Sequence, residues 1–326
     1  MEPRSYNKSF IPAHSEHGRL AQLEERQLDM LEVGGSKPSP PTIGSVAPRS
    51  QMPATLKDKV AIVTGASRGI GRGIAIGLGE AGCTVYVTGR TIRDGDSDRP
   101  GTVTKTAEEV TAAGGRGIPL RCDHRIDAEA AAVFSRVMDE QRRLDVLVNN
   151  ATEYTTDVGP PEDAPFWELQ IEDWDLMHRV GLRSHYVASI YAARIMVPQR
   201  RGLIVNVSSM GAIKYTGNVS YNVVKAGVDM LSLTTAHELR EHDVAVVSLW
   251  PRLTRTAGVM AHPEMFPNLD KAWSPEFNGR CVAALAADPR VIEKTGRALD
   301  VGEVANDYGL TDFDGRRPTP LQRPPA

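Results

Sequence analysis

Three cysteines in 326 residues, Cys83, Cys122 and Cys281, are too few and too scattered for a disulfide framework or a thiolate metal cluster. A reducing compartment is the simpler setting. Aromatic residues make up only 6% of the chain, and no apolar run approaches the roughly 18 residues that a membrane-spanning helix needs. Neither sign of charge dominates: 38 Lys and Arg against 41 Asp and Glu leave a net −3. That balance offers no basic face to nucleic acid or to an anionic membrane. The N-terminus lacks the apolar core of a signal peptide, so a cytoplasmic location is expected. What remains is an ordinary globular composition, 41% hydrophobic and 24% charged, long enough for one large α/β domain or two small ones.

Residues 1–55 read differently from the rest. The stretch Gly34-Gly35-Ser36-Lys37-Pro38-Ser39-Pro40-Pro41 cannot sustain helix or strand, because proline removes donors and glycine adds backbone entropy. A short helix over 20–31 is the only regular element expected there. We treat the segment as a flexible extension; its text resembles a reading frame that begins upstream of a true start, for which Met52 is well placed, and the alternative is a genuine targeting or docking arm. The folded domain is expected over 56–316, with a disordered tail at 317–326.

From Lys59 onward strands and helices alternate. Residues 60–64, 84–88, 118–122, 145–149, 203–208 and 244–249 are short apolar runs rich in β-branched residues, as buried strands are. Between them 70–81, 103–113, 128–141, 173–197 and 221–241 read as helices. This rhythm predicts βαβ units with right-handed crossovers, hence a single doubly wound, Rossmann-like α/β domain on a parallel sheet.

After the first strand comes Thr64-Gly65-Ala66-Ser67-Arg68-Gly69-Ile70-Gly71. Three glycines let the backbone turn sharply and approach a pyrophosphate, and the helix N-terminus near Ile70 offers free N–H groups to the anion. Such a loop between a strand and a helix predicts a dinucleotide site at Gly65, Ser67, Arg68, Gly69, Ile70 and Gly71. NAD sites usually end the second strand with an Asp or Glu for the ribose 2′-OH. Here the strand ends Val87-Thr88-Gly89-Arg90, without a carboxylate, and Arg68 lies within the loop. Two guanidiniums suit a 2′-phosphate, so NADP(H) is favoured over NAD(H); the alternative is that both are solvated surface residues. Asp123 follows the third strand at the adenine end, and Asn150 follows the fourth strand at the carboxyl edge, where ligands bind in open sheets. Asn149 is expected to satisfy strand backbone.

Tyr221 and Lys225 stand four residues apart and share a helix face. A free tyrosine titrates near 10, too high for useful proton transfer at neutral pH. A neighbouring ammonium and an oxidised nicotinamide ring would favour tyrosinate and lower that value. Tyr221 would then exchange a proton with a substrate oxygen while a hydride moves, with Ser209 holding the same oxygen. Ser208 competes with Ser209, and strand phasing favours Ser209.

In this order the motifs TGASRGIG, NNA and SYNVVK resemble those of the short-chain dehydrogenase/reductase family, over roughly 57–315. Segments such as Val180-Gly181-Leu182-Arg183-Ser184-His185-Tyr186 and Ser248-Leu249-Trp250-Pro251 are similar to one subgroup of it. The resemblance implies a seven-stranded parallel sheet, NAD(P)(H), carbonyl–alcohol interconversion, a homodimer or homotetramer built on long helices, and Lys225 holding the ribose hydroxyls. It also places Thr254 and Thr256 at the nicotinamide carboxamide. The chain departs from the family pattern twice. A helix Asn that anchors a water linking the lysine to solvent is replaced by Gly181, and the usual Gly after Pro251 is Arg252. Arg252 is expected either to contact an anionic substrate or to point to solvent.

Two loops, 152–166 and 253–275, are expected to form the pocket mouth. Their Tyr154, Met260, Met265, Phe266 and Trp273 suggest a small hydrophobic carbonyl or alcohol substrate, or else a packed lid. No metal site is expected: His178 and His185 lack acidic or cysteine companions and read as packing or helix-face residues, and His124 as a surface residue. A nucleotide-binding regulator or a structural subunit with little turnover remains the alternative to an enzyme.

Overall fold

The computed structural model describes residues 55–153 and 165–319. Almost all of the predicted extension, including Met52, and part of the first substrate loop, including Tyr154, lie outside the described residues. Seven strands form one parallel sheet in the order β3-β2-β1-β4-β5-β6-β7. They are β1 (Val60–Val63), β2 (Thr84–Gly89), β3 (Arg116–Arg121), β4 (Val146–Asn149), β5 (Gly202–Val207), β6 (Val244–Trp250) and β7 (Ala298–Asp300). Every residue of β1, β4 and β6 is buried, as strands covered on both faces must be. The edge strand β3 instead alternates between exposed and buried positions and carries Pro119, which an edge tolerates.

The helices are α1 (Gly69–Glu80), α2 (Val103–Ala112), α3 (Asp127–Gln141), α4 (Ile171–His178), α5 (Ser184–Gln199), α6 (Val219–Leu239), α7 (Ala257–Ala261), α8 (Pro275–Ala287) and α9 (Val301–Tyr308). Strand residues alternate between two cores, as the pleat requires. Ala61, Val63, Val85 and Val247 face α1, α2, α8 and α9, whereas Val60, Ile62, Leu147 and Val246 face α3, α5 and α6. The strand order reverses between β1 and β4, and that switch point opens a crevice at the carboxyl edge.

The helix predicted as continuous over 173–197 is interrupted. Arg179–Arg183 forms a π turn between α4 and α5, centred on Gly181. Beyond the last strand read from the apolar pattern the structure has α7, α8, α9 and β7, the last completing the seven-stranded sheet that the resemblance implies. The chain stays packed past the predicted boundary at 316: the Pro318 carbonyl accepts from Asn306 and the Thr319 carbonyl from Arg252.

Candidate active site

Gly65 turns the chain out of β1 with φ +63°, and a Cβ there would lie 2.7 Å from the Ala151 Cα. Only glycine fits that close approach. Behind it, the Asn150 side-chain amide donates to the Thr64 and Gly65 carbonyls at 2.9 and 3.0 Å, so Asn150 braces the loop from the far strand. A Cβ on Gly71 would strike that same amide, at 2.3 Å from the Asn150 nitrogen. The N-terminus of α1 has no side-chain cap and no acidic residue in its first turn, which leaves the amides around Gly69 and Ile70 suited to an anion.

A cavity of about 400 Å³ opens beside this loop, lined among others by Gly65, Ser67, Arg68, Arg90, Asp123 and Arg99. Arg68 donates to Thr91 Oγ1 and to the Gly101 carbonyl, while its Nε is buried without a partner among the described residues. Burial lowers the Arg68 pKa, and the charges of Arg99 and Arg90 lower it further. Three guanidiniums therefore crowd one corner, which is an electrostatic demand for an anion. Arg99 was missed at the sequence level, because it lies in an irregular segment after β2 with no periodic signal. Arg90 is not simply solvated: its Nη2 lies 2.5 Å from Glu153 Oε1, at the start of the first substrate loop. Asp123 is held by Arg125, whose guanidinium pulls its pKa down to about 2.

At the other end of the crevice, Asn218 caps α6 by accepting from the Tyr221 N–H at 2.8 Å, fixing Tyr221 in the first turn. The Tyr221 hydroxyl donates to Ser209 Oγ at 2.9 Å, and Ser209 also accepts from the Gly211 N–H at 3.0 Å. Ser208 faces the opposite way, its hydroxyl buried against the Lys225 carbonyl at 3.1 Å. Lys225 Nζ sits 5.6 Å from the Tyr221 ring centroid and donates to the Val207 carbonyl at 3.0 Å. Burial lowers its pKa to about 8, with the Asp229 carboxylate opposing the shift. The expected lowering of the tyrosine pKa does not occur in the protein alone. Burial raises it, and the Ser209 hydrogen bond only partly offsets that.

Several expectations are corrected here. Arg252 points neither to a substrate nor to solvent; it forms a bidentate pair with Asp300, with Nη2–Oδ1 2.6 Å and Nε–Oδ2 3.0 Å. Trp273, expected at the pocket mouth, is buried and stacks on Phe277 with ring centroids 5.1 Å apart. Met260 and Met265 do remain exposed. Thr254 is buried, its hydroxyl donating to the Arg252 carbonyl, while Thr256 caps α7 and lines a cavity with Ser67, Arg68 and Gly69. His124 is not a free surface residue: its ring meets Thr88 Oγ1 at 2.9 Å, and burial lowers its pKa to about 4. Among the described residues no group of His, Cys, Asp and Glu is arranged to hold a metal ion, and no helix is long and apolar enough to cross a membrane.

Residues 59–265 match the family model for short chain dehydrogenase. A mouse protein, dehydrogenase/reductase SDR family member 1, is 46% identical over 278 residues, 81% of this chain and 86% of the relative. Its human counterpart is 42% identical over the same shares. A solved metagenomic short-chain oxidoreductase in complex with NADP is 30% identical with a TM-score of 0.58, covering 72% of this chain and 92% of that one.

Proposed function

The chain belongs to the short-chain dehydrogenase/reductase family, NAD(P)-dependent oxidoreductases acting on CH–OH groups, and we propose that it is an NADP(H)-dependent enzyme interconverting a hydrophobic carbonyl and its alcohol, with Tyr221 as proton donor and acceptor. The observation that carries this reading is the Tyr221–Ser209 hydrogen bond beside buried Lys225, across the carboxyl edge from the glycine loop. The cradle fits the cofactor: Gly65 and Gly71 admit close backbone approach, and the buried Arg68 Nε asks for an acceptor. Bound NADP(H) supplies or takes up the hydride.

The protein's own residues handle the proton. With its pKa raised by burial, Tyr221 rests protonated, the state that a donor to a carbonyl oxygen needs. Ser209 Oγ already accepts from Tyr221 and Gly211, so its own O–H is free to be aimed at the substrate oxygen, which stabilises the charge developing there. Lys225 provides a cation next to the phenol, which lowers the cost of tyrosinate once the proton has gone. Arg68, Arg90 and Arg99 would hold the 2′-phosphate and thereby select NADP(H), a reading supported by the NADP complex of the metagenomic relative. The exposed Val223, Met230 and Leu233 on α6 support a homo-oligomer with that helix in the interface.

Fluorescence titration with NADPH and NADH tests the cofactor, followed by a panel of hydrophobic ketones, aldehydes and alcohols read by nicotinamide absorbance. NADPH is expected to bind at least about tenfold more tightly, a difference of about 1.4 kcal/mol. Equal affinities would defeat the cofactor assignment. Tight NADPH binding with no turnover on any member of the panel would favour a regulator instead.

A further inference from the structure

We propose that His185 is a positioning residue of the proton-transfer centre, its Nδ1 accepting through one water from the Lys225 ammonium. This rests on the catalytic reading above. His185 opens α5 and is 1% exposed, lodged against the chain that leaves β4. Its Nε2 lies 3.0 Å from the Ala151 carbonyl, which can only accept, so Nε2 carries the hydrogen. Burial, helped by the Lys225 charge, lowers the ring pKa to about 3, so the imidazole is neutral. Nδ1 is therefore a bare acceptor, and it is buried without a partner among the described residues.

The same cluster holds a second acceptor in that condition. The Asn149 amide nitrogen donates to the His185 carbonyl, to Ser189 Oγ and to Asn206 Oδ1, while Asn149 Oδ1 has no described partner. A buried acceptor left unpaired carries its full desolvation penalty, so the cluster calls for a donor. Lys225 is the cation that acts on His185, and its three N–H donors have one acceptor among the described side chains and carbonyls, the Val207 oxygen. A single water can donate to Nδ1 while accepting from Nζ. Gly181, four residues earlier on the same helical run, contributes no side chain, and its Cβ position would already be 3.0 Å from Val224 Cγ1. His185 thus brings a polar side chain from this run into the buried cluster, alongside Ser189.

Such a water holds the ammonium in place beside Tyr221. Because the ring stays neutral, His185 stores no proton; it orients the donor that compensates tyrosinate. The titratable groups that act on it are Lys225 on α6 and His124 after β3, and Asp229 on α6 acts in turn on Lys225.

The test uses the full-length protein saturated with NADP⁺ and reads tyrosinate absorbance against pH, with Tyr221→Phe as the blank that isolates Tyr221. His185→Leu, which removes the acceptor, is expected to raise the apparent Tyr221 pKa by about one unit and to lower kcat about tenfold with little change in KM for NADPH. His185→Gln can still donate to the Ala151 carbonyl and accept through its own oxygen, and is expected to restore most of the wild-type titration. An unchanged titration in His185→Leu, with only a fall in Tm, would overturn the proposal. Should that variant not fold, the wild-type imidazole decides: long-range proton–nitrogen spectra are expected to show a neutral ring with a hydrogen-bonded, unprotonated Nδ1. A protonated or unbonded Nδ1 contradicts it. Absence of any Tyr221 titration in the wild type would defeat the catalytic reading itself, and this inference with it.

Discussion

At one end of the crevice lie backbone amides and the half-exposed guanidiniums of Arg68 and Arg90; at the other lie half-buried Tyr221 and buried Lys225, backed by buried Asn149 and His185. Charge is better tolerated at the first end, where half-exposed Arg90 is screened by water and ions and only Arg68 is partly desolvated. At the second end each polar atom needs a defined partner, and each charge is held against a desolvation penalty. The first end should therefore be tunable by substitution and the second brittle. Each of the following changes either breaks or sharpens that contrast.

The largest effect is expected at the brittle end. Tyr221→Phe should lower kcat about a thousandfold while leaving NADPH affinity within about twofold, as steady-state kinetics and titration will show. Lys225→Met should combine a loss of turnover of about a hundredfold with a gain in stability. The native lysine titrates at about 8 against 10.5 when unfolded, so below pH 8 its burial is a constant cost. Between those values the unfolded chain binds more protons, and wild-type stability from this group rises with pH. The Tm advantage of Lys225→Met should thus be greatest at pH 7 and shrink between pH 8 and 10.

At the open end, Arg68→Ala should weaken NADPH binding tenfold to a hundredfold, roughly 1.4–2.8 kcal/mol, and leave NADH nearly unchanged. A similar loss for NADH would mean that Arg68 supports the loop rather than reading the 2′-phosphate. Acid stability offers a smaller effect. His185 refuses a proton down to about pH 3, whereas its unfolded counterpart takes one up near 6.5. Stability should fall as pH drops through 6.5, by up to about 1.4 kcal/mol per unit, and His185→Gln should remove that part of the slope in acid denaturation. The smallest change concerns Glu153→Gln, which frees Arg90 from its 2.5 Å partner and is expected to improve NADPH affinity two- to fivefold.

The same contrast explains what could be read from the sequence. The glycine loop, the strand and helix rhythm and the Tyr221–Lys225 pair depend on spacings of a few residues, so one-dimensional pattern was sufficient to find them. Arg99 was invisible because it reaches Arg68 from an irregular segment. The π turn at Gly181 changes helical phase by only one residue, too little to register in an apolar pattern. Arg252 could not be placed without Asp300, 48 positions away. His185 was read as packing, since a buried histidine with an orphaned nitrogen and one without look alike in sequence; only the count of partners separates them.

The central claim is hydride transfer from NADPH to a carbonyl carbon at this site. It is tested most directly with NADPH deuterated at C4, supplied in each of its two stereochemical forms to the wild-type enzyme and the panel of hydrophobic ketones and aldehydes. The account predicts that deuterium from one form alone appears on the carbinol carbon, by mass spectrometry of the product. Tightly bound NADPH that delivers deuterium to no carbonyl in the panel would contradict it.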